Sequence, residues 1–113
     1  MTLENRQALA EALFEDCLQL LRDKGKAYSG DKDALANFKI NAERMGLSKY
    51  QIWAVYFNKH IDSINNAVKD NPDKPADKTE GLSGRIVDAI NYLIILKALL
   101  TEDNAEDIDA QLF

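Results

Sequence analysis

The chain has 113 residues, 46% of them hydrophobic and 29% charged, a balance that supports one globular core and excludes disorder. Its net charge of −5 comes from one end: residues 102–113, EDNAEDIDAQLF, hold five acids and no base, and the 14 Lys and Arg before them face as many acids. A neutral body excludes general affinity for nucleic acid or an anionic membrane, both of which need a basic stripe, so any anion site must be local.

The polar N-terminus, TLENRQ, lacks the layout of a signal peptide. The longest apolar stretch, 86–100, contains Asp88, Asn91 and Lys97 and is no membrane span. A cytoplasmic protein is therefore expected. A single cysteine, Cys17, excludes an intrachain disulfide and a zinc site built from several thiolates. Its place in an apolar stripe marks it as a small core residue.

The first predicted helix covers residues 3–24, with Leu9, Leu13, Cys17, Leu20 and Leu21 at helical spacing and Glu11 and Glu15 turned away. Gly25 is expected to end it, leaving KGKAYSGD, residues 24–31, as a loop. That loop holds two lysines, a tyrosine and a hydroxyl but no GxxxxGK[ST] pattern, so it is not a Walker loop. A second helix fits 32–45, packing Leu35, Phe38 and Ile40 and stopping at Gly46. Ser48 with Gln51 is a capping-box signature for a third helix, 49–69. Asn71-Pro72 and Pro75 then open a polar loop. A fourth helix, 82–101, is apolar nearly all round, as a buried helix or a subunit interface is. The fold class is all-α: a small four-helix bundle-like domain over 1–101, oligomerising through its C-terminal apolar helix, with a mobile acidic tail over 102–113.

At 100° per residue, Ile52, Val55, Tyr56, Ile64 and Ala67 define the apolar face of the third helix, and Lys59, His60 and Ser63 fall in the same arc. Asn58, Asp62, Asn65 and Lys69 form its solvated side. On the fourth helix Arg85, Asp88 and Tyr92 share a face with Ala89, Leu96 and Leu99. Buried charges left unpaired cost several kcal/mol, so two core-facing helices that offer polar groups inward must pair them or line a cavity with them. One reading is structural: an Arg85–Asp88 pair, Lys59 snorkelling to solvent, and His60 satisfied by a backbone carbonyl. The other is a ligand pocket between helices. Lys and Arg suit phosphate, Asp and Asn suit ribose hydroxyls or base edges, and Tyr offers a stacking face.

The run Lys24…Lys26-Ala-Tyr28, Asn37-Phe38, Tyr56…Lys59-His60…Ile64 and Glu80…Arg85-Ile-Val-Asp88-Ala-Ile-Asn91-Tyr92-Leu93 resembles small phage-encoded helical proteins. Those are similar to the MazG-like all-alpha NTP pyrophosphatase superfamily and to phage nucleotide-modification-associated proteins. The resemblance covers about residues 10–100, and RIxDxxNYL is its most specific piece. It implies a homo-oligomeric helical bundle with a nucleotide pocket between helices. Enzymes of that superfamily hold Mg²⁺ with EExxE on one helix and ExxD on a later one. Here Arg85 stands where the later Glu would be, and the nearest earlier run is Glu15-Asp16-Cys17-Leu18-Gln19.

Two functions follow from the resemblance and its departures. The first is a protein that binds a nucleotide-derived small molecule and sequesters it without hydrolysis, as an anti-defence device against a host signal. Lys59, Arg85 and Lys24 or Lys26 would hold phosphates, and Asp88 and Asn91 would hold ribose or base edges. Tyr92, Tyr28 or Trp53 would offer stacking faces, with Tyr56 and His60 completing the lining. No cofactor is needed. The alternative is a Mg²⁺-dependent nucleoside triphosphate pyrophosphatase of phage nucleotide metabolism, with Asp16, Glu80 and Asp88 as metal ligands. A third possibility is a structural module whose polar cluster only fixes register.

Overall fold

Thr2 starts the first helix: its hydroxyl accepts from the Asn5 N–H at 3.0 Å, and α1 runs Leu3–Ser29. The computed structural model describes residues 1–30, 32–77 and 81–104 and arranges them as four helices, with no strand among them. The other three are α2 (Ala36–Met45), α3 (Lys49–Asp70) and α4 (Leu82–Asp103).

Gly25 does not end α1, and the expected 24–31 loop is helical to Ser29. An interior glycine costs a helix only about 1 kcal/mol relative to alanine. Contacts beyond it offset that cost. The Ser29 hydroxyl donates to Asn37 Oδ1 at 2.6 Å and accepts from the Asn37 N–H at 3.1 Å, tying the end of α1 to the start of α2. The helix ends at Gly30, whose φ of 75° and ψ of −165° suit glycine alone.

α2 begins four residues later than expected. Asp33 Oδ1 accepts from the Leu35 N–H at 3.0 Å, and this local bond competes with helix formation. Gly46 closes α2 in the left-handed conformation, and Ser48 and Gln51 form the reciprocal capping box of α3, both as the sequence implies.

α4 packs most extensively on α3 and also touches α1, while α2 bridges α3 and α1. Leu35, Phe38, Ala42, Ile52 and Leu99 form the core, with Tyr50, Trp53, Tyr92, Ile95 and Ala98 against it. Trp53 belongs here and not to a ligand face. Its Nε1–H donates to the Tyr92 carbonyl at 2.5 Å, and its ring stacks on Phe57 at 4.8 Å. Cys17 is fully buried, as expected, and burial followed by the neighbouring Asp16 charge pushes its thiol above the ordinary range.

Several expected core residues face outward: Leu9, Ile40 and Val55 are exposed, and Tyr56 is only partly covered. The fourth helix is not enclosed either. It buries Asp88, Asn91 and Leu99 but leaves Ile86, Leu93 and Leu100, seven residues apart, at 42, 51 and 44% exposure. Three neighbouring helices, one of them only 10 residues long, leave part of this largely apolar helix uncovered.

The expected tail starts too early in the sequence reading. α4 continues to Asp103, where an acidic helix end opposes the dipole and is offset by bases on α2 and α3. Lys39 Nζ lies 2.6 Å from Glu102 and 2.8 Å from Asp33, and Lys49 and the Tyr50 hydroxyl both bind Asp103. Residues 105–113 of the expected tail lie outside the described residues.

Leu99, at 0% exposure, is the test of this core. Leu99→Ala should lower stability by about 2–5 kcal/mol, read as a lower urea midpoint at unchanged slope. A change under 1 kcal/mol would show that the helices meet elsewhere.

Candidate functional site

The polar row of α4 opens onto a cleft of about 740 Å³ between the last turns of α1, the outer face of α2, the middle of α3 and the first half of α4. That volume lies in the ordinary range for small-molecule sites. From α1 it receives Lys24 and Tyr28, from α3 Tyr56, Lys59 and His60, and from α4 Arg85, Asp88, Asn91 and Tyr92. Nine of the eleven residues expected at a ligand site thus meet in one place. Lys26 does not line it; its carbonyl receives the Gly30 N–H that caps α1.

Periodicity on α2 adds residues the sequence reading did not assign. Asn37, Asn41 and Arg44 line the cleft, spaced i, i+4, i+7 on a single polar stripe beside Phe38. The stripe was legible in the sequence, but only the pairing of α2 with α3 turns it toward the cleft.

The floor is acidic and amide. Asp88 is 5% exposed and Asn91 6%, and they sit one turn apart on α4. Lys24 Nζ lies 3.5 Å from Asp88 Oδ1, and His60 Nδ1 lies 3.6 Å from Asp88 Oδ2. The buried carboxylate therefore draws on α1 and α3 for compensation. The expected Arg85–Asp88 pair does not form. Arg85 instead donates from Nε to Asp77 Oδ2 at 3.0 Å, and its Nη1 lies 3.4 Å from His60 Nδ1. Asp77, in the segment before α4, supplies the carboxylate instead, with both side chains largely buried. His60 faces Asp88 and Arg85, and Lys59 is exposed.

One wall is aromatic. The Tyr92 ring lies 5.2 Å from His60, 6.4 Å from Tyr56 and 6.4 Å edge-on from Phe38. Burial first, then the Asp88 charge and the other two tyrosines, raises the Tyr92 pKa, so its hydroxyl stays protonated and polar without charge. The rim is cationic, formed by Lys24, Arg44 and Lys59, all exposed.

Two of the metal ligands of the alternative reading, Asp16 and Asp88, do not meet. Asp16 is exposed on α1 and absent from the cleft, and Glu80 lies outside the described residues. Among the described residues no group of three or more His, Cys, Asp or Glu is spaced to hold a metal ion. The surroundings of Asp88 fit Mg²⁺ poorly: its near neighbours are Lys24 and His60, and the nearby Asp77 carboxylate is engaged by Arg85.

No helix among the described residues is long and apolar enough to cross a membrane. No family model matches the chain, and no curated protein or solved structure is similar to it.

Tyr92 gives the site an optical reporter. Its folded pKa is raised above the unfolded value of 10.0, so the stability tied to the neutral phenol is complete below pH 10 and lost as pH rises through the folded value. Absorbance titration at 295 nm, with Tyr92→Phe to assign the signal, should show late ionisation, and Asp88→Asn should bring it earlier. Superimposable wild-type and D88N curves would remove Asp88 from beside the ring.

Proposed function

We propose that the cleft binds a nucleotide-derived small molecule and holds it without hydrolysing it. The single observation that carries this reading is the layering of the cleft. Exposed Lys24, Arg44 and Lys59 stand at the rim, the Tyr92, Tyr56 and Phe38 rings form a wall, and Asp88 and Asn91 lie buried at the floor. Phosphates suit the rim, a planar ring suits the wall, and hydrogen-bonding edges suit the floor. With Arg85 engaged by Asp77, the phosphate contacts fall to the rim cations. The setting that the sequence resemblance supports is the cytoplasm of a phage-infected host. There the protein would act in anti-defence, withdrawing a nucleotide signal by sequestration.

The reading includes a homo-oligomer. Ile86, Leu93 and Leu100 form a heptad stripe on the side of α4 opposite Asp88, Asn91 and Ile95, and among the described residues it stays 42–51% exposed. A second copy of the same stripe is the self-complementary occupant. Leu93→Glu should leave helical circular dichroism intact and convert the assembly to monomer by analytical ultracentrifugation. A wild-type chain that sediments as a monomer at tens of micromolar would overturn this part.

The function itself is tested by incubating the protein with nucleoside mono-, di- and triphosphates with and without Mg²⁺, denaturing it, and analysing what is released. Intact nucleotide is expected. Mg²⁺-dependent release of pyrophosphate, abolished by Asp88→Asn, would instead establish the pyrophosphatase. Lys59→Ala and Arg44→Ala should each weaken binding by about tenfold, the lower end for a charge-assisted hydrogen bond, without loss of fold. Unchanged affinity in both would place the phosphates elsewhere. Arg85→Ala is the less informative variant, because it takes a charge partner from Asp77, a carboxylate with little solvent access.

A further inference from the structure

Asn91 is the one described residue with a buried side-chain oxygen or nitrogen that has no hydrogen-bond partner: its Oδ1 is orphaned while the residue is 6% exposed and lines the cleft. An unsatisfied buried amide oxygen costs about 1–3 kcal/mol, and folding offers cheaper residues of the same size, leucine among them. The orphan oxygen is closed to solvent in the ligand-free chain, and it is explained if the amide turns it toward the cleft for a ligand to complete. Asp88, one turn earlier, adds two acceptor oxygens to the same floor. Its contacts with Lys24 and His60, at 3.5 and 3.6 Å, are longer than hydrogen bonds and leave lone pairs on both oxygens. The floor is thus rich in acceptors and offers three oxygens, two on a carboxylate and one on an amide.

We infer that Asp88 and Asn91 together read a nucleobase edge that presents N–H donors side by side, the edge of guanine. This rests on the nucleotide-binding reading and specifies its base. The ring N1–H and one hydrogen of the 2-amino group match the two oxygens of a carboxylate, and the second amino hydrogen is left for Asn91 Oδ1. Adenine fails the match, because its ring N1 lone pair would face the Asp88 carboxylate. Hypoxanthine keeps the N1–H but lacks the amino group that Asn91 would read. The Tyr92 ring supplies the face against which such a base lies, and the rim cations take its phosphates.

The test uses the full chain and calorimetric titration with GTP, ITP, ATP and inorganic triphosphate. GTP should bind at least tenfold tighter than ITP and tighter still than ATP and triphosphate. Asn91→Leu should cancel the GTP-over-ITP preference and, in the ligand-free protein, raise the melting temperature by a few degrees by removing an unsatisfied group. Equal binding of GTP, ITP and ATP would overturn the base assignment while leaving the nucleotide-binding reading intact. Failure of every nucleotide to bind would overturn both. A fall of several degrees in N91L would show that the amide is structural and would also overturn the inference. The wild-type ligand series decides the matter even if N91L does not fold.

Discussion

Asp88 is a carboxylate at 5% exposure in the middle of an apolar helix, and the placement of three helices answers to it. A charge so buried must find compensation, since leaving it alone costs several kcal/mol against a total stability of about 5–15. The compensation comes from Lys24 on α1 and His60 on α3, which fixes where those helices can lie against α4. It also explains why α1 passes through Gly25: the turn that carries Lys24 has to be held in register over α4. The fourth helix is consequently divided. Its first half, with Arg85, Asp88 and Asn91, gives the cleft its polar floor, while its second half, with Ile95 and Ala98, supplies an apolar part of the same lining and, with Leu99, packs into the core.

That division could be read from the sequence only in part. The capping box at Ser48 and Gln51, the stop at Gly46 and the inward polar row on α3 and α4 are local or periodic signals, and each survives in the structure. What sequence could not supply was the choice of partners. Arg85 has Asp88 within a turn and Asp77 in a loop, and only the packed geometry assigns it to Asp77. Lys39 and Lys49 look like ordinary surface bases until the end of α4 arrives beside them and turns Glu102 and Asp103 from tail into helix. Likewise the second helix was expected from residue 32, but the Asp33 carboxylate binds the Leu35 N–H and delays α2.

The site was more legible than its boundaries. Nine of eleven assigned residues share one cleft because they lie on inward helix faces, and 3.6-residue periodicity places a side chain on its face with little error. Trp53 was misassigned for a related reason: periodicity gives the face but not the depth, and Trp53 lies a full turn before Tyr56, where α3 meets the core. The α2 stripe of Asn37, Asn41 and Arg44 was missed because a polar stripe on a short helix usually means solvent.

The small core and the orphaned amide bear on one another. Few large side chains are fully buried, Leu99 and Cys17 among them, so the single chain has little stability to spend on an unsatisfied oxygen. A chain that nevertheless keeps Asn91 at that position needs burial from another source. The proposed second copy over Ile86, Leu93 and Leu100 supplies it on the opposite side of the same helix, at about 25 cal/mol per Å² of apolar surface covered. Stability would then depend on protomer concentration, and ligand binding and assembly would act on one element from its two faces. On that proposal one face of α4 would make room for a costly site, and the apolar face opposite would recover the cost.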